Sequence, residues 1–357
     1  MDPSGTLIPL PEGPEYRTLV GVLSAVGSML CWVLTSISFT VAGKRFGSTS
    51  VNVTRSVLAA IVLVFVVLAG TGETMPFPID SRVWLLGISG IFGLAIGDQL
   101  IFSAFNRIGP RLTLLILNLV PVCTALLAWP GLGEPLAPLG WIGIAMTVLG
   151  VGWVLGERND PGPAEGFSFS RLGVAIALMG VASVSIGNVL AKHGMVADPG
   201  GGAATDPVQV GPLVAQEIRM GFGAIAIVGL SVLGRLAGVQ IGTPPVPDAS
   251  RRPSRSIALG ALLIGTALGP ILGMILFLYS VLLVKLAVAT TVLALTPVAI
   301  LPLNRLVDRT RITHRALIGA VLGVLGVAVL AFAEPSSDST PDPIDPPTPA
   351  VANRVLD

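Results

Sequence analysis

One aspartate, Asp98, interrupts an apolar run that reaches from Val83 to Phe105. A charge at the centre of such a run costs about 2.5 to 3.5 kcal/mol on membrane-insertion scales, so the carboxylate must face protein or water. Three roles are open to it: partner of a buried basic side chain, an interface position near Arg107, or a group that contacts a solute or exchanges a proton. Pro121 and Pro297 stand inside two further runs. Each removes a backbone N–H and is expected to free a carbonyl one turn earlier, near Leu117 and Leu293. Asn118, Thr290, Thr291 and Thr296 share those runs and can offer uncharged hydrogen bonds outward or bond their own backbone. Trp32, Thr35 and Asn188 add polar atoms to two other runs. Arg55 and Arg219 open runs of their own, where a long side chain snorkels to a headgroup or turns inward. Glu217, two residues before Arg219, falls on a different helical face.

Covalent and metal chemistry find no parts. Cys31 and Cys123 both lie in apolar runs and read as small core residues, too few for a disulfide framework or a zinc cluster. The two histidines, His193 and His314, fall near run ends, and no HExxH motif is present. An aspartyl intramembrane protease needs a GxGD motif and a second aspartate. The sequence here is Ala95-Ile-Gly-Asp98, and no other predicted helix holds an aspartate. No GxxxxGK[ST] loop cradles a nucleotide. No metal, no cofactor and no enzymatic activity are expected.

The elements that must position these side chains follow from composition. Of 357 residues, 52% are hydrophobic and 11% charged, against about 25% charged in a soluble domain. Apolar runs occur at 19–42, 51–70, 83–105, 112–129 and 139–155, then at 172–190, 214–233, 257–279, 286–303 and 316–332. They are apolar on every face, whereas barrel strands alternate, so the expectation is an all-α integral membrane protein with ten transmembrane helices. Polar stretches separate them at Glu157 to Ser170, Lys192 to Pro212 and Arg235 to Ser256. The start of the chain carries prolines and acidic residues rather than a basic, then apolar, leader, so no cleavable signal is expected. Beyond Glu334, six prolines with Asp338, Asp342 and Asp345 predict a disordered tail.

Sliding the chain by 176 residues places Gly93 on Gly269, Gly97 on Gly273, Leu117 on Leu293, Pro121 on Pro297 and Gly143 on Gly319. The run Val148-Leu-Gly-Val151 then falls on Val324-Leu-Gly-Val327 without a gap. An offset of 164 places Arg55 on Arg219. Five crossings per unit is an odd number, so the second unit must run inverted, an architecture of transporters with a midplane site between the halves. Glycines four residues apart (Gly93 and Gly97; Gly265, Gly269 and Gly273) predict close helix contact, as tight packing or as a sliding surface. Gly143 and Gly150, with Gly319, Gly323 and Gly326, predict that the last helices of the two units seal against each other, which makes an obligate dimer unnecessary.

The stretch Gly97-Asp-Gln-Leu-Ile-Phe-Ser-Ala-Phe-Asn-Arg-Ile-Gly109, followed by Leu119-Val-Pro-Val122, Leu132-Gly-Glu134 and Gly143-Ile-Ala-Met-Thr-Val-Leu-Gly-Val151, resembles the end of an EamA domain. That family belongs to the drug/metabolite transporter superfamily. Trp32 and Arg55 also resemble its pattern, and the second half repeats it more loosely. The resemblance implies ten helices in two inverted five-helix repeats at 19–156 and 171–333, with a polar segment at 1–18, a linker at 157–170 and a tail at 334–357. It also implies secondary or facilitative transport of a small polar metabolite, with export the expected direction. Small multidrug-resistance relatives carry an essential glutamate in their first helix; here that helix offers Thr35, Ser36 and Ser38.

The remaining function classes are a receptor or scaffold that binds a ligand without moving it, and a channel, for which no charged ring or filter-like loop is present. Expected partners are a small solute, a coupled proton where transport is ion-driven, and the lipid bilayer of a cell (inner or plasma) membrane. A net charge of +1 gives no surface for nucleic acid, and no protein partner is evident. Orientation is contested: one set of loops holds 14 basic residues and the side with both termini five, which places the termini outside, whereas the family resemblance implies termini inside.

Overall fold

The computed structural model describes residues 13–73, 79–156, 170–196, 210–238, 253–299 and 314–333. Residues 157–169 of the 157–170 linker, residues 1–12 and the tail at 334–357 lie outside the described residues. Every regular element among the described residues is helical, and seven helices are long and apolar enough to cross a membrane. Three shorter apolar helices accompany them, at Pro138–Trp153, Leu286–Ala299 and Leu317–Ala333.

Helix α1 spans Pro14–Phe46 and α2 spans Ser48–Thr71. Pro14 fits the first turn of α1, where its missing N–H would be unbonded in any case. Gly47 alone joins the two helices at φ 80°, a left-handed conformation that a side chain would resist. Helix α3 (Ser81–Gly90) starts on Asp80, whose carboxylate accepts the Arg82 amide at 2.8 Å. It leads without a break through a π-helical stretch, Ile91–Gly97, into α4 (Asp98–Leu117). Helices α5 (Val120–Leu132) and α6 (Pro138–Gly156) follow. Then come α7 (Arg171–Val196), α8 (Pro212–Leu236) and α9 (Arg255–Thr266), which passes through a second π-helical stretch, Ala267–Gly273, into α10 (Met274–Leu283). The described chain ends with α11 (Leu286–Leu293), α12 (Thr296–Ala299) and α13 (His314–Ala333).

The 176-residue offset read from glycines and prolines reappears in the backbone. The two π-helical stretches, Ile91–Gly97 and Ala267–Gly273, coincide at that offset, as do the helix ends at Leu117 and Leu293 and the restarts at Val120 and Thr296. Each π stretch lets a carbonyl escape the helical ladder, and side chains from other helices satisfy it. Ser183 on α7 donates Oγ to the Phe92 carbonyl at 2.7 Å, and Ser28 on α1 donates to the Gly273 carbonyl at 2.7 Å. Gln216 on α8 donates Nε2 to the Pro270 carbonyl at 2.8 Å.

Helix α1 packs on α9, the second π stretch, α10 and α11, while α7 packs on α3, the first π stretch, α4 and α5. The glycine stripes face these partners. A β-carbon on Gly269 would stand 2.6 Å from Thr35 Cγ2, and one on Gly187 would stand 2.8 Å from the Gly93 Cα. Outward faces are the reverse of a soluble protein's: Phe65 is 65% exposed, Leu149 66% and Ile225 75%. A belt of that kind is stable only against hydrocarbon.

Three expectations change. Pro121 and Pro297 do not sit within helices: the chain breaks at 118–119 and 294–295, so each proline occupies the first turn of the next helix, where no N–H is missed. The Leu293 carbonyl is not free, because Thr296 donates its hydroxyl to it at 2.6 Å. Lys192 is no interface residue, since α7 continues to Val196 and holds Lys192 at 4% exposure, with only His193 beside it exposed.

The last helices of each half meet backbone to backbone as expected. A β-carbon on Gly143 would lie 2.7 Å from the Gly326 carbonyl oxygen, and one on Gly150 would lie 2.6 Å from the Gly319 oxygen. Gly150→Leu therefore forces α6 from α13 and is expected to lower stability by about 1 to 3 kcal/mol or more. Gly229→Ala, with nothing within 4 Å, leaves stability unchanged or slightly raised. Thermal unfolding of the detergent-solubilised variants checks both.

Candidate functional site

Arg55 is buried at 6% exposure rather than snorkelled. Seven residues past the start of α2, its guanidinium pairs through Nη2 with the Asp98 carboxylate. Nε donates to Asn52 Oδ1 at 2.9 Å, and Cζ stands 5.4 Å from the Phe39 ring centre. Pairing, hydrogen bonding and the ring's negative face share one charge among three neighbours. Of the roles open to Asp98, the structure shows one, partner to a buried cation, and that cation is Arg55. Arg107 is exposed.

Arg219 takes the matching place on α8, seven residues past Pro212, and is 1% exposed. It lies where α8 crosses α3: a β-carbon on Gly90 would collide with the Arg219 carbonyl, and one on Gly93 would stand 3.5 Å from Nη2. The position matching Asp98 is Met274, so the second half supplies no equivalent carboxylate. Among the described residues, Nε and Nη1 of Arg219 have no hydrogen-bond partner, and neither has Glu217 Oε2.

The other predicted residues divide by what they touch. Trp32 and Thr35 lie on the second π stretch, with Thr35 Oγ1 donating to the Gly265 carbonyl at 3.4 Å and Trp32 Nε1 unbonded among the described residues. Thr290 and Thr291 are buried and turn back on α11, donating to Leu286 and Ala287 carbonyls at 3.0 and 2.6 Å. Asn118 Nδ2 donates to the Val148 carbonyl at 2.8 Å and leaves Oδ1 unbonded among the described residues. Asn188 is buried at 8% exposure. Pro121 and Pro297 mark helix restarts rather than freed carbonyls. Asp98 and Asn118 therefore bond to different neighbours, Arg55 and Val148, rather than to each other.

Sequence reading missed a second buried ion pair. Lys192 Nζ lies 2.5 Å from Glu134 Oε1 and donates to the Val284 carbonyl at 2.8 Å, while Glu134 Oε2 accepts the Leu286 amide at 2.9 Å. Lys285 Nζ donates to the Pro135 carbonyl at 2.8 Å. These bonds tie the α5–α6 turn to the end of α7 and to the α10–α11 turn, closing one end of the molecule. Asn52 and Gln216 were also missed. Both stand three residues before an arginine at the 164 offset, a signal that polar residues as well as arginines repeat.

Replacing one member of the Arg55–Asp98 pair strands the other charge. Asp98→Asn and Arg55→Met are each expected to lose about 3 kcal/mol of stability, and the double variant is expected to regain most of it. Thermal unfolding in detergent measures the cycle.

No curated protein matches this chain. A solved structure titled only "Crystal structure of protein" superposes with a TM-score of 0.64 at 19% identity, covering 90% of this chain and 99% of that one, and so shares its fold. The family model described as EamA-like transporter family matches residues 19–156. That match covers α1 to α6, including Arg55, Asp98 and Glu134. Over residues 19–156 the chain matches the EamA-like transporter family, a family of the drug/metabolite transporter superfamily, and its long apolar helices are those of a multi-pass membrane protein.

Proposed function

We propose that the protein is a secondary or facilitative transporter of a small polar metabolite, built as two inverted five-helix repeats that alternate access to a site between them. The observation that carries this reading is the reciprocity of the two halves. Thr147 and Gly323 coincide at the 176 offset and touch each other, Thr147 Oγ1 lying 3.2 Å from the Gly323 carbonyl. Equivalent positions meet where a two-fold axis passes between repeats. Around that axis, Ser28 of the first half caps the second π stretch and Ser183 of the second half caps the first.

Rocking of one half on the other then needs contacts that separate at little cost. Glycine backbones in contact, such as Gly93 with Gly187, provide them, because no side chain has to withdraw from a pocket. The Lys192–Glu134 latch holds one end shut in this conformation. With no nucleotide-binding loop in the sequence, the driving force is the solute gradient or a coupled ion. The reading places repeats at 19–156 and 171–333 and both termini on one face.

Reconstituted into proteoliposomes and screened against a metabolite panel with and without a pH gradient, the protein is expected to give saturable, solute-specific uptake that is accelerated by the same solute preloaded inside. Ligand binding without flux of any kind would contradict the transporter reading and favour a receptor.

A further inference from the structure

We infer that the solute is a small organic anion whose carboxylate or phosphate group is held by Arg219. The inference rests on the transporter reading and adds the substrate class. Two arginines occupy matching places, each about 10 Å along its helix from the start. Arg55 is neutralised by Asp98, bonded to Asn52 and covered by Phe39. Arg219 is more deeply buried, yet the repeat that should supply its counter-charge carries Met274 instead. No carboxylate among the described residues forms an ion pair with it, and two of its nitrogens have no acceptor there.

A guanidinium without a partner is among the costliest groups to bury in hydrocarbon, and it keeps its charge under all ordinary conditions. It is retained where a partner arrives from outside the chain. Its planar fork matches the two oxygens of a carboxylate or phosphate, which favours an anion over a neutral sugar or a cation. The position also suits a transported ligand. Nη2 reaches the first π stretch beside Gly93, against which Gly187 of α7 packs by backbone alone. Separation of α7 from the π stretch breaks the Ser183–Phe92 bond and opens the backbone contact beside the guanidinium. Glu217, two residues earlier, falls on a different face of α8.

The test uses the full chain purified in detergent, with thermal unfolding followed in succinate, glycerol 3-phosphate and inorganic phosphate at constant ionic strength, against succinamide, glycerol and choline. At concentrations about 100-fold above Kd, one or more organic anions are expected to raise the midpoint saturably by roughly 5 °C, and the neutral and cationic compounds not at all. Arg219→Met is expected to fold with an unchanged or higher midpoint in buffer, because it removes an uncompensated charge, and to lose the anion shift by at least about tenfold in affinity. Arg219→Lys keeps the charge but not the fork and retains a weakened shift. A marked loss of stability in Arg219→Met, an anion shift that survives it, or equal shifts from the neutral compounds would overturn the assignment. A shift from inorganic phosphate alone would mean adventitious ion binding and would overturn it as well. Anion binding without flux in proteoliposomes would leave this inference standing and defeat the transporter reading. Flux of neutral or cationic solutes alone would do the reverse.

Discussion

Inside a bilayer no water is present to bond a spare carbonyl, amide or charge, so each needs a partner within the protein or in a ligand that the protein holds. That constraint explains the crossed architecture of this chain. Two π-helical stretches release carbonyls from the helical ladder, and the Ser28 and Ser183 hydroxyls that take up two of them come from the opposite half. Arg55 finds Asp98, and Lys192 finds Glu134, across 43 and 58 positions of sequence. The Arg55–Asp98 pair closes within the first half, but Glu134 and the two serine-capped carbonyls take their partners from the opposite half.

On the transporter reading, the same bonds set where the molecule moves. Of these two hydrogen-bonded ion pairs, Lys192–Glu134 sits near the end of α7, whereas Arg55–Asp98 lies deeper, seven residues into α2 and at the middle of the continuous helix from Ser81 to Leu117. The middle of the molecule is held by glycine backbones in van der Waals contact, such as Gly143 against Gly326 and Gly93 against Gly187, together with neutral hydroxyl-to-carbonyl bonds from Ser28, Thr147 and Ser183. Contacts of the second kind break without stranding a charge, whereas the first kind must be exchanged for another partner. A carrier needs both: a seam that parts easily and end closures whose charges resist opening until something compensates them.

Much of this was legible in the sequence, and what was not has a physical cause. Glycine and proline punctuate a helix, so a repeat in Gly93, Gly97 and Pro121 survives as Gly269, Gly273 and Pro297 and reports the shared backbone path. The π register itself was hidden, because the same four-residue glycine steps describe an ordinary packing stripe. Pro121 read as a mid-helix kink because the apolar run is continuous through it; the break at 118–119 is made by backbone geometry, not by composition. Pairing was the least legible. Composition marks Asp98 as costly, but the choice between Arg55 and Arg107 depends on how α2 lies against α4, which no periodicity within either helix encodes. Lys192 read as an interface residue because its run appears to end there, and its burial follows from α7 continuing a further turn against the Glu134 turn.

The central claim is that the halves part at the end closed by Lys192 and Glu134. It is tested most directly by the distance between spin labels placed at Leu139 and His193, both exposed and flanking that closure, in a background with Cys31 and Cys123 replaced. Pulsed dipolar spectroscopy in lipid nanodiscs is expected to resolve a short distance, matching the closed structure, and a longer one. Lys192→Met should move the population toward the longer distance. A single short distance in both proteins would contradict the account.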